Sequence, residues 1–284
     1  MFTIIGWVVV AGVILGGFLM AGGHLAVLVQ PVEVLIILGA AIGALVAGNT
    51  AKDLKAFGAG LGAAFKGSKY DKDMYMQTLG LLFNLFARAR KDGLMSIEGD
   101  IEEPHTSEIF NKAPKVKADH HATDFIADYM RLMISSSLDV HQIDNLMDIE
   151  IETHHHEAEV PGNMMAKLAD GLPAFGIVAA VLGVVHTMES VGIPPAELGK
   201  LIAAALVGTF LGILASYGFA APLANVMGKQ AEASTQYYNC LKTTLIAFMN
   251  GYPPQVAVEF GRKTLPSHVR PSFRELEEFV KNNK

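Results

Sequence analysis

Four long uncharged stretches alternate with polar blocks along the chain. Each stretch approaches or exceeds the roughly 20 residues that a helix needs to cross the hydrocarbon core of a bilayer. Lipid offers no hydrogen-bond partners to an open backbone, so each stretch is predicted to form a membrane-spanning helix. The four predicted spans are Phe2–Met20, Val34–Ala51, Gly171–Met188 and Leu201–Met227.

The polar block after the second span shows helical periodicity. Apolar residues recur at i, i+3 and i+4 spacing, and basic residues flank or oppose the face that they form. A second run of the same kind follows a polar connection that contains Pro104 and Pro114. The two predicted apolar faces consist of Leu81, Leu82, Leu85, Phe86 and Ala89, and of Phe125, Tyr129, Leu132 and Met133.

Two capping boxes predict the starts of further helices. In such a box the N-cap side chain and the side chain three residues later each accept a hydrogen bond from the other's backbone N–H. Asp139 and Gln142 predict one helix start, and Ser272 and Glu275 predict another near the end of the chain. No strand pattern competes with these helices, so the whole chain is predicted to be all-α.

The charged residues are distributed unevenly, and this changes the class of protein. Of the 50 charged residues (22 basic and 28 acidic), only Glu33 precedes Lys52 and only three lie between residues 171 and 222. The chain has 18% charged residues, whereas ordinary soluble domains have about 25%. This segregation excludes a soluble enzyme of one or two domains, and the single cysteine excludes a disulfide scaffold.

The lysine and arginine positions predict the orientation of the spans. The two short connections, Ala21–Glu33 and Glu189–Lys200, contain one basic residue between them, whereas blocks 52–170 and 223–284 contain 13 and 8. Because basic residues collect on the cytoplasmic side, both blocks and both chain ends are predicted to be cytoplasmic. The predicted parts are spans one and two (1–51), a cytoplasmic helical domain (52–170), spans three and four (171–227) and a cytoplasmic tail (228–284).

Small residues in the spans predict close helix packing. Gly12 and Gly16, Gly39 and Gly43, and Gly208 and Gly212 each form a pair with the spacing that lets two helix backbones approach. Together they predict a tightly packed, oligomeric bundle.

The middles of the four predicted spans contain no Asp, Glu, Lys or Arg. Ionisable residues inside a membrane usually mark ion or proton pathways. His186 lies at the external end of span three and is interpreted as an interfacial or packing residue. If the protein serves ion movement, the titrating carboxylate is therefore expected to come from another chain.

Two histidine runs, His120–His121 and His154–His156, raise the question of a metal site. Adjacent residues on a helix point about 100° apart, so three in a row do not converge on one ion. No metal site, cofactor, catalytic nucleophile or phosphate-binding loop is predicted, and the protein is not expected to be an enzyme. Sensitivity to cytoplasmic pH stays open, because histidine titrates near neutrality.

Several strings resemble one known family over essentially the full length. They are LPAFGIVAAVLGVVH at 172–186, VGTFLGIL at 207–214, AVEFGRKTL at 257–265, IEIETH at 149–154, EVP at 159–161, and the opening GG…QP between 22 and 31. They resemble the MotA family, the larger stator subunits of the bacterial flagellar motor, within the wider group that includes TolQ and ExbB.

The resemblance implies an architecture and a set of partners. Five such subunits would surround two copies of MotB, a single-span protein with a proton-accepting aspartate, in the bacterial inner membrane. Ion flow would turn the ring, and the cytoplasmic loop would push the rotor protein FliG. No nucleic acid is expected as a partner.

The resemblance also implies roles for individual residues. Arg90 and Glu98 match the loop charges that engage the rotor, with Arg88, Lys91 and Asp100 as further members of the patch. Pro173 and Pro222 match prolines tied to the step that couples ion flow to torque.

Two further positions concern the ion path. By the resemblance, Thr209 faces the inner cavity near the partner's aspartate. Ala180 occupies the place where sodium-driven relatives tend to carry a threonine, and its methyl group supplies no oxygen ligand. The expected ion is therefore the proton.

Three alternatives remain at this point. One is a TolQ- or ExbB-like transducer that energises outer-membrane processes, although those relatives have three spans and a different loop. The others are a membrane metalloenzyme built on the histidines and a passive structural scaffold.

Overall fold

The computed structural model describes residues 2–135, 138–189 and 192–282, and every regular element within these ranges is helical. The predicted all-α fold is confirmed. Residues 190–191 of the second predicted connection and residues 283–284 of the predicted tail lie outside these ranges. The helices are α1 (Phe2–Met20), α2 (Pro31–Ala47), α3 (Ala51–Ala64), α4 (Lys72–Asp92), α5 (Glu98–Glu102), α6 (Glu108–Asn111), α7 (Pro114–Lys117), α8 (His120–Ser135), α9 (Val140–Glu189), α10 (Pro195–Ile213), α11 (Ala221–Met249), α12 (Pro254–Thr264) and α13 (Phe273–Asn282).

Four helical segments are long and apolar enough to cross a membrane, as predicted. The first has the predicted bounds, but the second is shifted: α2 begins at Pro31 and ends at Ala47. The predicted end at Ala51 is wrong because Thr50 caps a new helix. Its hydroxyl accepts a hydrogen bond from the Asp53 amide, and the Asp53 carboxylate accepts one from the Thr50 amide at 3.1 Å.

The third predicted span is the last part of a 50-residue helix, α9. The sequence predicted one helix from Asp139 and a separate span from Gly171, and the structure joins them. Pro161 and Pro173 both lie inside this helix. Proline removes one N–H from the helical hydrogen-bond ladder without necessarily ending the helix.

The fourth span contains an irregular turn. After α10, residues Leu214–Ala220 form a π-helical turn in which the Ala221 amide donates to the Ser216 carbonyl, five residues back. Pro222 follows at once, and it has no N–H to donate to a carbonyl four residues earlier. The π-helical turn therefore lies just before Pro222, where an ordinary α-helix would lack one backbone hydrogen bond.

The chain forms two compact units. The span unit comprises Met1–Gly67 and Ala158–Ala231, and the polar unit comprises Ser68–Glu157 and Glu232–Lys284. Each has its own cluster of buried apolar residues.

Glycines set the helix contact in the span unit. A β-carbon at Gly212 would lie 2.7 Å from the Leu172 carbonyl oxygen, and one at Gly176 would lie 2.9 Å from the Gly208 carbonyl oxygen. Helices α9 and α10 therefore meet backbone to backbone, and the prediction for the Gly208 and Gly212 pair is confirmed. The glycine pairs of α1 and α2 make no such contact with the residues that the structure describes.

The polar unit is built around α4. The predicted face of this helix is buried, and Phe86 stacks on Phe248 of α11 with ring centroids 4.1 Å apart. Burial of one such side chain contributes about 1.5–3 kcal/mol. On the other predicted face, Phe125 and Tyr129 of α8 are buried, while Leu132 and Met133 pack at the edge of the core.

Both predicted capping boxes are present. The Asp139 amide donates to Gln142 at 3.0 Å, and the Gln142 amide donates back to the Asp139 carboxylate at 2.9 Å. Ser272 and Glu275 exchange the equivalent bonds at 2.6 and 3.2 Å. The second box begins α13.

Candidate functional site

The end of α4 carries the first group of candidate residues. Gly93 ends this helix with a φ of +90°, a conformation open to glycine because it has no β-carbon. A short 3-10 turn follows, and α5 begins at Glu98. Arg90 lies in the last turn of α4. The side chains of Arg90 and Glu98 are both exposed. The local fold thus places a cation at a helix C-terminus and an anion at a helix N-terminus, where each is favourable.

Two neighbouring charges from the same predicted patch have a structural role. Arg88 donates to the Asp100 carboxylate at 2.8 Å, and Ser107 donates to its other oxygen at 2.6 Å. The Asp100 side chain is only 10% exposed. This network ties the segment after α5 to α4, so Arg88 and Asp100 are not a free docking pair.

The remaining charged residues of the patch are not held in such a network. Within the described ranges, no ion pair involves Arg90, Lys91 or Glu98. The structure therefore separates a paired inner set from an exposed outer set, a distinction that depends on tertiary contacts and was missed from the sequence.

An apolar cleft of about 320 Å³ lies beside Arg90. Gly251, with a φ of +84°, lines the cleft just after the end of α11, and Gly93 precedes the lining residue Leu94. No pattern in the sequence predicted this cleft. It is lined by Ala89, Arg90, Leu94, Met133, Leu138, Phe248, Met249, Gly251 and Tyr252.

Two residues of the predicted ion path lie at or next to the contact of α9 with α10. A β-carbon at Gly208 would lie 3.2 Å from the Ala180 amide nitrogen, so Ala180 lies at this contact, and Thr209 follows Gly208 along α10. Thr209 is half-buried, and its hydroxyl takes part in none of the hydrogen bonds found among the described residues. By contrast, the Thr187 hydroxyl donates to the Gly183 carbonyl of its own helix at 2.8 Å.

The two candidate coupling prolines lie at irregular or crowded points of the span unit. Pro173 follows Leu172, whose carbonyl faces the close contact with Gly212. Pro222 follows the π-helical turn. Both are half-buried.

Glu33 occupies a different place from the one predicted. The sequence put it in the connection before the second span, but α2 begins at Pro31, so Glu33 lies within its first turn. Proline suits the first helical position because its φ is already helical and that position needs no N–H. Glu33 is only 9% exposed and faces Gly208 of α10.

The histidine runs take part in polar contacts of the polar unit. His154 is within 2.9 Å of the Ser234 hydroxyl, which is in turn 2.9 Å from the Tyr70 hydroxyl. His155 is 2.8 Å from the Thr235 hydroxyl. Burial lowers the pKa of His154, with a further lowering from His121 and Lys69. Within the described parts of the chain, no three His, Cys, Asp or Glu side chains are grouped to hold a metal ion.

Family models match most of the chain. A model described as Motility protein A N-terminal matches residues 4–93. A model of the MotA/TolQ/ExbB proton channel family matches residues 117–239. Together the two matches include all the candidate residues except Glu98 and Asp100.

Individual relatives extend the likeness to nearly full length. Motility protein A of Salmonella typhimurium is 53% identical over 99% of this chain and 95% of its own length. Motility protein A of Escherichia coli is 52% identical with the same coverage. Chemotaxis protein LafT of Vibrio parahaemolyticus is 36% identical over 94% of each chain.

Two solved structures share the fold. The C. jejuni MotAB structure matches with a TM-score of 0.77 at 20% identity, covering 93% of this chain and 95% of the other. The MotAB stator complex of Bacillus subtilis matches with a TM-score of 0.74 at 21% identity, covering 97% and 98%.

Proposed function

The chain belongs to the motility protein A family of flagellar stator subunits, and we propose that it couples proton flow across the bacterial inner membrane to rotation of the motor. The observation that carries this proposal is the identity of more than half of all residues with Motility protein A relatives over 99% of the chain. A TolQ- or ExbB-like role is less well supported, because four helices here are long enough to span a membrane. The protein acts as a transducer without covalent chemistry of its own.

We propose that the chain works in a complex with a MotB-like subunit, a single-span protein that bears the proton-accepting aspartate. The two solved structures that share the fold are of MotAB and of a MotAB stator complex. Five copies of the chain around two of the partner is the arrangement we propose. The open glycine faces of α1 and α2 are suited to contacts with neighbouring helices.

We place both chain ends and the polar unit in the cytoplasm. The support is the distribution of 21 of the 22 lysines and arginines in the blocks at 52–170 and 223–284. The polar unit would then meet the rotor protein FliG through Arg90 and Glu98. The cleft beside Arg90 is apolar, and an apolar centre with aromatic residues and arginine is typical of protein interfaces.

We propose that the ion path runs along the contact of α9 and α10. Thr209 would offer its unbonded hydroxyl to the path, and Ala180 would keep the neighbouring site free of a second side-chain oxygen. Pro173 and Pro222 would provide local irregularities in the helices. Through them, protonation of the partner would cause helix movement.

The first test of this function is proton flux in proteoliposomes. The chain should be reconstituted alone, with a MotB-like partner, and with a partner whose intramembrane aspartate is replaced by asparagine. Flux is expected only in the second sample, because the complete path needs the partner's acid. Equal flux from the chain alone would contradict the proposal, and counting chains in the purified complex tests the proposed five-to-two ratio.

A further inference from the structure

Glu33 is a buried acid in a region where an unpaired charge is costly. Its Oε2 atom is buried and has no hydrogen-bond partner among the described residues. An ionised carboxylate without a partner loses far more solvation energy than a neutral one. In a membrane protein such a residue faces the interior of the bundle and marks a functional site by default.

The Glu33 carboxylate lies against two glycines. A β-carbon at Gly208 would lie 3.0 Å from Oε2, and one at Gly183 would lie 3.6 Å from Oε1. The other atoms nearest to these two β-carbon positions belong to Ala179, Ala180 and Ala205. Two glycines on two different helices thus make the space that the carboxylate fills.

The carboxylate also lies at the candidate ion path. The Ala180 amide and Oε2 of Glu33 both lie within 3.2 Å of the same point, the place of a β-carbon at Gly208. Thr209 is the next residue of α10. The Glu33 carboxylate of α2 and the Ala180 amide of α9 therefore meet at Gly208 of α10, the residue before Thr209.

A purely structural role explains less of this geometry. As the third residue of α2, Glu33 would favour the helix N-terminus through the helix dipole. A capping role, however, would have its carboxylate accept from the free amides of the first turn, and among the described residues no hydrogen bond runs from the Gln30 amide to the Glu33 carboxylate. The carboxylate instead points toward the two facing helices.

We propose that Glu33 is a second proton-binding carboxylate of the ion path, which accepts a proton from the external side and releases it toward Thr209 and the partner's acid. The proton adds to Oε2, and the same O–H bond breaks on release, so the site returns to its starting state. This inference rests on the proposed proton path and adds to it an acid supplied by the chain itself.

On α9 and α10, the helices that face Glu33, the charged or titratable side chains nearest in sequence to this contact lie toward the helix ends that are joined by the second short connection. His186 and Glu189 are near the end of α9, and Glu197 and Lys200 are in the first turns of α10. All four side chains are exposed. Glu197 therefore serves as a matched control: it is a glutamate in the first turn of an apolar helix, but it is not buried.

The experiment compares proton flux through the complete complex in vesicles for wild type, Glu33→Gln, Glu33→Asp and Glu197→Gln. Glutamine keeps the size of the side chain but does not exchange a proton. Loss of a positioned proton-transfer group is expected to lower flux by at least about tenfold in Glu33→Gln. Glu33→Asp should retain most of the flux, and Glu197→Gln should match wild type.

A second measurement is independent of how the variants fold. Dicyclohexylcarbodiimide, an apolar reagent that modifies protonated carboxyl groups, is added to the wild-type complex, and the modified residues are identified by mass spectrometry. Modification is expected at Glu33, with loss of flux, and not at Glu197. Absence of modification at Glu33 under conditions that label the partner's acid would overturn the inference.

The outcomes separate this inference from the function on which it rests. If the wild-type complex carries no protons, the proposed function is wrong and the role of Glu33 falls with it. If wild type conducts and an assembled Glu33→Gln complex conducts equally well, only the inference is wrong, and Glu33 serves helix packing alone.

Discussion

Charged residues of one type have different roles in this chain, and the difference lies in their contacts. Arg88 is held by Asp100, whereas Arg90, two residues later, is exposed without an ion pair among the described residues. Two residues along a helix is a rotation of about 200°, so the two guanidinium groups leave α4 in different directions. A docking surface built on α4 would therefore use Arg90.

Charge reversal at Arg90 or Glu98 tests the rotor surface. Arg90→Glu and Glu98→Lys are expected to reduce torque clearly while leaving membrane insertion and partner binding intact, because both side chains are exposed. Opposite reversals on the rotor should restore part of the torque, as expected for complementary charges. The measurement is the torque of tethered or bead-labelled motors.

The control for this prediction is Arg88→Glu, which should lower the stability of the polar unit by breaking its pair with Asp100. Wild-type torque in the double reversal of Arg90 and Glu98 would show that this surface does not engage the rotor.

His154 gives the polar unit a predictable response to pH. Its folded-state pKa is lowered, mainly by burial, so the unfolded chain binds the proton first as the pH falls. Stability is then fully present above the unfolded value of about 6.5 and decreases as the pH drops toward the folded value. The Tm of the chain in detergent should fall between neutral and mildly acidic pH.

The variant His154→Gln is expected to flatten this part of the pH profile, because glutamine binds no proton. His156→Gln is the matched control, since its side chain is exposed on the same helix. An unchanged pH profile in His154→Gln would assign the pH response to other groups.

At the scale of elements, local patterns predicted helix starts well and tertiary contacts poorly. The boxes at Asp139 and Ser272 were recognised because they depend on residues three apart. The same kind of box at Thr50 and Asp53 was missed, because it lies at the end of an apolar stretch that was interpreted as one span. The start of α2 at Pro31 could also have been predicted from the sequence, because proline is common at the first position of a helix.

Other features of the elements depend on information that no short pattern contains. The joining of α9 into one helix requires that Pro161 and Pro173 be tolerated inside it. The π-helical turn before Pro222 is a local response to a missing N–H within a packed helix. The burial of Glu33 follows from the meeting of three helices.

The prolines make a prediction at this scale. Pro173→Ala and Pro222→Ala restore an amide donor, so each helix should become more regular, with a stability change that is small or favourable. If the irregularity transmits movement, torque should fall more than proton flux in both variants. Torque and flux must be measured on the same preparations.

Pro161→Ala is the matched control, because Pro161 also lies inside α9 but packs against Gly60 of α3 away from the α9–α10 contact. Full torque in Pro173→Ala and in Pro222→Ala would reduce both prolines to features of helix shape.

At the scale of the whole molecule, the chain is a transducer whose energy source is a membrane gradient. One elementary charge crossing 100 mV releases about 2.3 kcal/mol, whether it is carried by a proton or by a sodium ion. The energy therefore does not decide which ion the protein uses. The ligands along the path decide it.

The side chains of the proposed ion path favour protons over sodium ions. A sodium ion that loses its hydration shell needs several oxygen atoms at once, whereas a proton needs one. In the proposed path Thr209 would supply a hydroxyl and Glu33 a carboxylate, whereas Ala180 has only a methyl group. Swimming speed driven by this subunit should follow the proton gradient and should not depend on external sodium. Speed is measured while sodium is varied at constant membrane potential, with a sodium-driven motor as the control for the method. A speed that rises with sodium would mean that the partner subunit supplies the missing oxygens and that Ala180 does not set the choice of ion.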